Sequence, residues 1–356
     1  MTQPQLRWDI GTAYDLFVSL NVLHNPADYG VRSAWAAGVR ARLPTEERET
    51  LNQAQTLLFL APLYWVHDLP HPKDSATVLW ALGRIPSADR LPALSFSPEI
   101  PQSVRDVLQK VIARGSWDDR DKKAVQAYTR TLEECTLSPK ALTQFLTGWS
   151  RAEEFGERYL QALHTYYEVF FAEEEKRLRP ALEAALARAQ DLAKRSALPD
   201  LLENLSQGLR FAELPQVDEL VLAPSFWSTP LVFLGKASAG RAIWLFGAKP
   251  ADVSLVPGEV VPDALLRTLK ALSDPTRLRV LHYLAEETLT PAQLSRRLRL
   301  RIPTVTHHLN TLRLAGLVHL TVEEGTGREK EPYTIRFEAV EAAFALLKSF
   351  LLGEKG

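Results

Sequence analysis

T-P-A-Q-L-S-R-R-L (Thr290–Leu298), followed after a four-residue turn by P-T-V-T-H-H-L-N-T-L-R-L-A-G (Pro303–Gly316), decides the fold of the C-terminal part of the chain. Thr290 before Pro291 is an N-cap with proline at the first helical position, and Pro303 suits the start of a second helix. Gly316 ends that second helix. Two short helices joined by a tight turn describe a helix-turn-helix. Val305, Leu309 and Leu312 recur at helical spacing and face a core, which turns Thr304, Thr306, His307, Asn310 and Thr311 outward or sideways.

The flanking sequence extends the same unit. Leu265, Leu266, Leu269 and Leu272 share one side of a preceding helix. Asp274-Pro275-Thr276 stops that helix and opens the next, with Leu278, Val280, Leu281 and Leu284 as core positions. After Gly316, Leu317–Val322 alternates like a strand, E-E-G-T-G-R-E-K-E-P forms a polar loop, and Tyr333–Phe337 returns. That hairpin is a wing. A last helix, Glu338–Leu352, carries Val340, Ala343, Phe344, Leu346, Leu347, Phe350 and Leu351, too apolar for a free tail.

A-L-S-D-P-T-R-L-R-V-L-H-Y-L (Ala271–Leu284), L-T-P-A-Q-L-S-R-R-L and T-V-T-H-H-L-N-T-L-R-L-A-G-L-V together resemble the winged helix-turn-helix domain of the ArsR family of bacterial transcriptional regulators. The resemblance runs from about Leu265 to Ile335. Upstream, W-D-I-G-T-A-Y-D-L-F-V-S-L-N-V-L-H (Trp8–His24) and V-L-A-P-S-F-W-S-T-P-L-V-F (Val221–Phe233) resemble an uncharacterised N-terminal extension of some ArsR-like regulators. The family implies a dimer on double-stranded DNA, with a pseudo-palindromic operator and repression as the direction of control. By the same analogy the last helix pairs with the helix around Leu265 across a two-fold axis, through Leu265, Leu269, Phe344, Leu347, Phe350 and Leu351.

Charge agrees with that implication. The whole chain has 42 Lys and Arg against 43 Asp and Glu, a net charge of -1, which excludes a uniformly basic coat and makes any polyanion binding local. Between Pro291 and Leu320 there are five arginines, Arg296, Arg297, Arg299, Arg301 and Arg313, and no acidic residue. Arg297, Arg299, Arg301 and Arg313 are expected on phosphates, while Thr304, Thr306, His307 and Asn310 are suited to base edges. Arg328 and Lys330, with Thr326, are candidate wing contacts, opposed by Glu323, Glu324, Glu329 and Glu331. His308 diverges from His307 by about 100° on a helix and is expected to be a satisfied, partly buried residue.

The remainder reads as mainly α with small β elements: a helical N-terminal domain at 1–210, a small β segment and linker at 211–260, and the winged domain at 261–356. Strands are expected at Glu219–Leu222, Leu231–Leu234 and Ala242–Phe246, and Ala251–Val261 has the look of a linker. Pro180 either kinks a long helix or begins a new one. The helical part is expected to sense an unknown small-molecule or protein effector. An enzyme, or an interaction scaffold, carrying a fused DNA-binding module is the alternative.

Little points to catalysis or cofactors. Ser225 lacks a G-x-S-x-G setting, and Gly235-Lys236 lacks the glycine a phosphate loop requires. The single cysteine, Cys135, excludes an internal disulfide and any multi-cysteine metal site. The helices that bind metal in ArsR-like sensors have no Cys or His here at Pro291–Leu298, and no His at Glu338–Leu352, so no metal is expected. His67, Asp68, His71 and Asp74 have ligand-type spacing but read as ordinary loop content. The longest apolar run, Thr56–Val66, is too short for a bilayer span and contains Pro62, and Met1–Gly11 is interrupted by Arg7 and Asp9; a cytoplasmic location is the expectation.

Overall fold

The computed structural model describes residues 4–58, 61–131, 138–214, 216–238, 240–256, 258, 260–322 and 330–352. Cys135 and Arg328 lie outside these residues. After a first strand, β1 (Gln5–Trp8), come the helices α1 (Thr12–His24), α2 (Ser33–Ala41), α3 (Thr45–Leu57), α4 (Pro62–His67), α5 (Ser75–Arg84), α6 (Ser87–Ser95), α7 (Gln102–Arg114), α8 (Asp119–Thr129), α9 (Pro139–Ser150), α10 (Ala152–Tyr166), α11 (Ala172–Ala193) and α12 (Leu198–Leu205). Strands β2 (Leu209–Phe211), β3 (Glu219–Ser225), β4 (Phe233–Ser238) and β5 (Arg241–Gly247) follow. The C-terminal unit contains α13 (Asp263–Leu272), α14 (Pro275–Glu286), α15 (Pro291–Leu298), α16 (Ile302–Leu314), β6 (Val318–Val322), β7 (Tyr333–Ile335) and α17 (Phe337–Leu352). The chain is mainly helical. No helix among the described residues is long and apolar enough to cross a membrane.

Four strands form a sheet in the order β1-β3-β5-β4, with β1, β3 and β5 parallel and β4 antiparallel to β5. Parallel neighbours require a crossover, and the one from β1 to β3 contains α1–α12. Strands β3 and β5 are buried along almost their whole length, as expected of strands covered on both faces. Sequence patterning misses β1, whose four residues alternate between exposed and half-buried, and it places β4 about two residues early.

Helix α1 is buried on nearly every side, so its polar residues need internal partners. Thr12 donates to Glu175, and the Ser19 and Tyr166 hydroxyls lie 2.8 Å apart. Asp15 accepts from Ser225 Oγ at 2.8 Å, Trp227 N at 2.8 Å and Phe226 N at 3.1 Å. Burial raises the Asp15 carboxyl to about 6 despite these bonds. One polar stripe on α1 thus anchors both the α10–α11 rod and the loop after β3. Pro180 sits inside α11; the irregularity in the rod comes earlier, as a π-helical turn at Tyr167–Phe171.

One apolar core runs from Ala13 to Val256 and a second from Ala271 to Tyr333. The packing therefore divides the chain near residue 256, and β3–β5 share a core with the helices instead of forming a separate segment after 210. Strand β2 leaves that body. It pairs in parallel with β6, Leu209 opposite Leu320 and Phe211 opposite Val322, completing a three-stranded sheet ordered β2-β6-β7.

The expected linker is also ordered against the body: Ser254 and Leu255 are buried. Arg177 donates to the carbonyls of Ser254 and Leu255, both at 3.3 Å, and Asp263 accepts from Ser254 Oγ at 2.9 Å and Leu255 N at 2.5 Å.

Helices α6 and α10 cross at Gly156, where a Cβ would overlap the carbonyl oxygen of Ser87. Gly156→Ala is expected to destabilise by about 1–3 kcal/mol through overpacking. Gly38, exposed within α2 with open space around it, is the control: Gly38→Ala should stabilise by roughly 0.5–1 kcal/mol. Urea denaturation of the two variants checks both signs.

Candidate nucleic-acid interface

The first helix of the motif is fixed by its cap. Thr290 Oγ1 accepts from Gln293 N at 3.3 Å and the Gln293 side chain accepts from Thr290 N at 2.7 Å, a reciprocal capping box. Leu294 and Leu298 bury the inner face of α15. Arg299 takes a left-handed conformation, φ 57°, and Ser295 Oγ donates to the Leu300 carbonyl at 2.6 Å, which together shape the turn. Arg301 stands at the N-cap position of α16 without a side-chain capping bond, and Pro303 lies in the first turn.

Val305, Leu309 and Leu312 are fully buried, as the periodicity requires. Opposite them, Thr304 and His307 are exposed and Thr306 and Asn310 are half-exposed. The Thr311 hydroxyl donates back to the His307 carbonyl at 3.0 Å, which occupies that proton. His308 is half-buried; burial lowers its basicity, partly opposed by Asp274 and reinforced by Arg277 and His307. Contrary to expectation, its Nδ1 is buried without a hydrogen-bond partner.

The arginines divide into three kinds. Arg296, Arg299 and Arg301 are exposed and have no ion pair among the described residues. Arg297 is exposed but already paired with Glu287 at 2.6 Å, and its guanidinium lies 5.7 Å from the Tyr283 ring centroid. Arg313 differs from the sequence expectation. It is half-buried near β7, where burial lowers its basicity and Tyr333 and Glu331 oppose that shift. Lys330 is exposed. Glu287 and Tyr283 were not among the sequence candidates; their separation from Arg297 leaves no periodic signal.

The expected dimerisation residues also separate. Leu265 is 1% exposed, so its side chain is consumed by packing within the chain, which corrects its assignment to an intermolecular surface. Leu269 is 40%, Phe344 57% and Leu351 71% exposed, and Leu347 and Phe350 are half-buried. Helix α17 packs on α13 yet has no buried residue. For sixteen residues reading F-E-A-V-E-A-A-F-A-L-L-K-S-F-L-L, that is a large uncovered apolar surface.

The β6–β7 hairpin is joined to the N-terminal body through His319 on β6, which is 5% exposed. Its Nδ1 is 3.0 Å from Glu203, its Nε2 is 3.6 Å from Glu338, and Arg210 Nη2 is 3.2 Å from Nε2. Arg336 spans the same joint, donating to the Gln207 carbonyl at 2.8 Å and the Gly316 carbonyl at 2.9 Å.

Far from this face, His67 and His71 converge on Asp9, each with a ring nitrogen 3.5 Å from one of its carboxylate oxygens. Lys73 Nζ occupies the centre at 2.5 Å from Asp9, and Tyr14 donates to the same carboxylate at 2.6 Å. Burial alone would raise Asp9, but His67, Lys73 and Tyr14 hold it well below the usual carboxylate range. Asp74, the other acid of the spacing pattern, caps α5 instead. No group of three or more potential ligands among the described residues is arranged for a metal ion.

Residues 272–321 match a helix-turn-helix domain family. The chain is also similar, at 43% identity over 65 residues, to the HTH-type transcriptional regulator CmtR of Mycobacterium tuberculosis and of Mycobacterium bovis. That similarity covers 18% of this chain and 55% of the relatives, so the chain spans about half the length of the curated proteins it matches. The C-terminal part of the chain thus contains a helix-turn-helix domain. The domain match lies wholly within the second apolar core and its immediate flanks.

Thr290→Ala removes the acceptor for Gln293 N and should cost about 1 kcal/mol, whereas Thr290→Gly should cost a few tenths; chemical denaturation compares them. His319 gives a pH test. Burial and Arg210 lower its basicity, with Glu203 opposing, so the unfolded chain takes up the proton first as pH falls below 6.5. Its contribution is present above that pH and is lost on acidification. His319→Gln should flatten the decline of the melting temperature between neutral pH and pH ~5.

Proposed function

We propose that the protein is a DNA-binding transcriptional regulator acting as a homodimer, with residues 1–256 forming the part that responds to a signal. The supporting observation is the acid-free stretch Pro291–Leu320, in which Arg299, Arg301, Thr304 and His307 are all exposed. Polar side chains at the front of such a helix suit base edges in the major groove, and arginines around the turn suit flanking phosphates. Arg296 joins this set. Arg297 contributes less because Glu287 already neutralises it, and Arg313 serves the wing.

The uncovered face of α17 supports the dimer. A second copy would bury Phe344, Leu347, Phe350 and Leu351, and a two-fold axis would place two α16 helices about 34 Å apart on a pseudo-palindromic operator. Repression is the direction implied by the family resemblance. A signal that favours one arrangement of the dimer would alter DNA affinity by its differential binding to the two arrangements. We read residues 1–256 as a sensing body rather than an enzyme, located in the cytoplasm.

Selection of bound genomic fragments should recover a two-fold symmetric sequence. On that sequence, Arg299→Ala and Arg301→Ala should each lower the salt dependence of log K by about 1 and weaken binding to all DNA. Arg297→Ala should do less. Asn310→Ala or His307→Ala should relax sequence preference, by about 1–3 kcal/mol for each base pair that the variant no longer distinguishes. Mutants with wild-type salt slopes and preferences would reject this contact map. Light scattering tests the assembly: wild type should be dimeric at micromolar concentration, and Phe344→Glu with Leu351→Glu should shift it to monomer.

A further inference from the structure

The β6–β7 hairpin meets the N-terminal body at a buried imidazole whose surroundings are set for its neutral form. Arg210 on β2 places Nη2 3.2 Å from His319 Nε2. A guanidinium has donors and no acceptor, so Nε2 accepts and the ring proton sits on Nδ1. Arg210 is itself steadied by Glu203 of α12, which accepts from its Nε at 2.9 Å. The same stretch of β2 is fastened along β6 on either side of Arg210. Leu320 N donates to the Gly208 carbonyl at 3.0 Å and Ala212 N to the Val322 carbonyl at 3.1 Å.

A second proton on the ring finds no aligned acceptor. It would sit on Nε2, where Arg210 already points a donor. The acid on that side, Glu338 of α17, is 3.6 Å away, longer than a hydrogen bond, and its Oε1 already takes Arg336 Nε at 3.2 Å. On the other side Nδ1 is 3.0 Å from Glu203 but is not aligned with it as a hydrogen bond. Thr334, opposite His319 on β7, carries no charge. Arg313 of α16, which also packs on β6, is turned towards Tyr333 and Glu331. Glu203 and Glu338 thus balance Arg210 and Arg336, and a charged imidazole adds an uncompensated positive charge in a buried position. Burial first and Arg210 next lower the basicity of His319, Arg336 adds to this, and Glu203 and Glu338 oppose it.

We propose that His319 is a proton-operated latch between the two parts of the chain: the neutral ring holds β2 against β6, and protonation detaches Arg210 and parts the two strands. A closed joint that binds a proton more weakly than the open, solvated joint is opened by that proton. Opening releases the hairpin, and with it the domain that carries α16, from one of its attachments to the N-terminal body. The event is local and precedes acid unfolding of either core. Its consequence for DNA rests on the reading of residues 1–256 as the part that responds to a signal; the parting of the strands does not.

The test is amide hydrogen exchange of the full-length protein at neutral pH and at pH ~5, corrected for the intrinsic pH dependence of exchange. The expected result is a loss of protection of about tenfold or more at Leu320 and Ala212 on acidification, with β3 and β5 unchanged. His319→Gln, whose amide oxygen still accepts from Arg210, should keep its protection at both pH values. Glu338→Gln removes the acid nearest Nε2 and should move the transition to lower pH; it serves as the test if His319→Gln fails to fold. Unchanged protection in wild type, an equal loss in a folded His319→Gln, or an unshifted transition in Glu338→Gln overturns the latch. So does a loss that spreads equally to β3 and β5, which reports general acid unfolding. Gel shifts over the same pH range separate the two readings: strands that part in a protein binding no DNA would refute the regulator and leave the latch intact.

Discussion

Asp263 holds the two halves of the molecule in one arrangement. Standing in the first turn of α13, its carboxylate takes the Ser254 hydroxyl and the Leu255 amide while facing Lys249, so the segment joining the cores is bound at its exit. Arg177 grips the same segment from the other side through two carbonyls. Buried charges of this kind are stable only when paired and hydrogen-bonded. Their geometry consequently specifies an orientation. The pairing of β2 with β6 provides a second attachment, and two separated attachments resist rotation in a way that one tether does not.

The near-neutral charge of the whole chain conceals a sorted distribution. Three acidic residues of the N-terminal body are used internally: Asp15 closes the turn after β3, Glu175 receives Thr12 and Ser75, and Asp9 gathers Lys73 and Tyr14. The two motif helices contain no acid, and Glu287, just beyond the end of α14, pairs with Arg297. Which arginine is available to a polyanion is therefore decided by neighbours outside the basic run.

The helix-turn-helix was legible because its determinants are local. Caps at Thr290 and Asp274 and the Val305, Leu309 and Leu312 stripe each operate within a few residues, and the structure reproduces them. What escaped sequence reasoning depends on partners far along the chain. Strands β1 and β2 are four and three residues long and acquire meaning only beside β3 and β6. The grouping of His67 and His71 requires Asp9, about sixty positions away and on the other side of α1 in the chain order. Leu265 and Arg313 carry the residue types of a surface contact, but the fold turns both inward to different degrees, which composition does not register.

The pairing of Gln5 with Glu219 and of Trp8 with Leu222 has a consequence for synthesis. Of these two strands, β1 is made more than two hundred residues before its neighbour β3, and loop closure over such a span makes assembly slow relative to local contacts. The C-terminal unit assembles most of its core from residues close together in the chain. Closure of the larger core thus waits for the emergence of β3, and until then the nascent chain carries β1 without this neighbour.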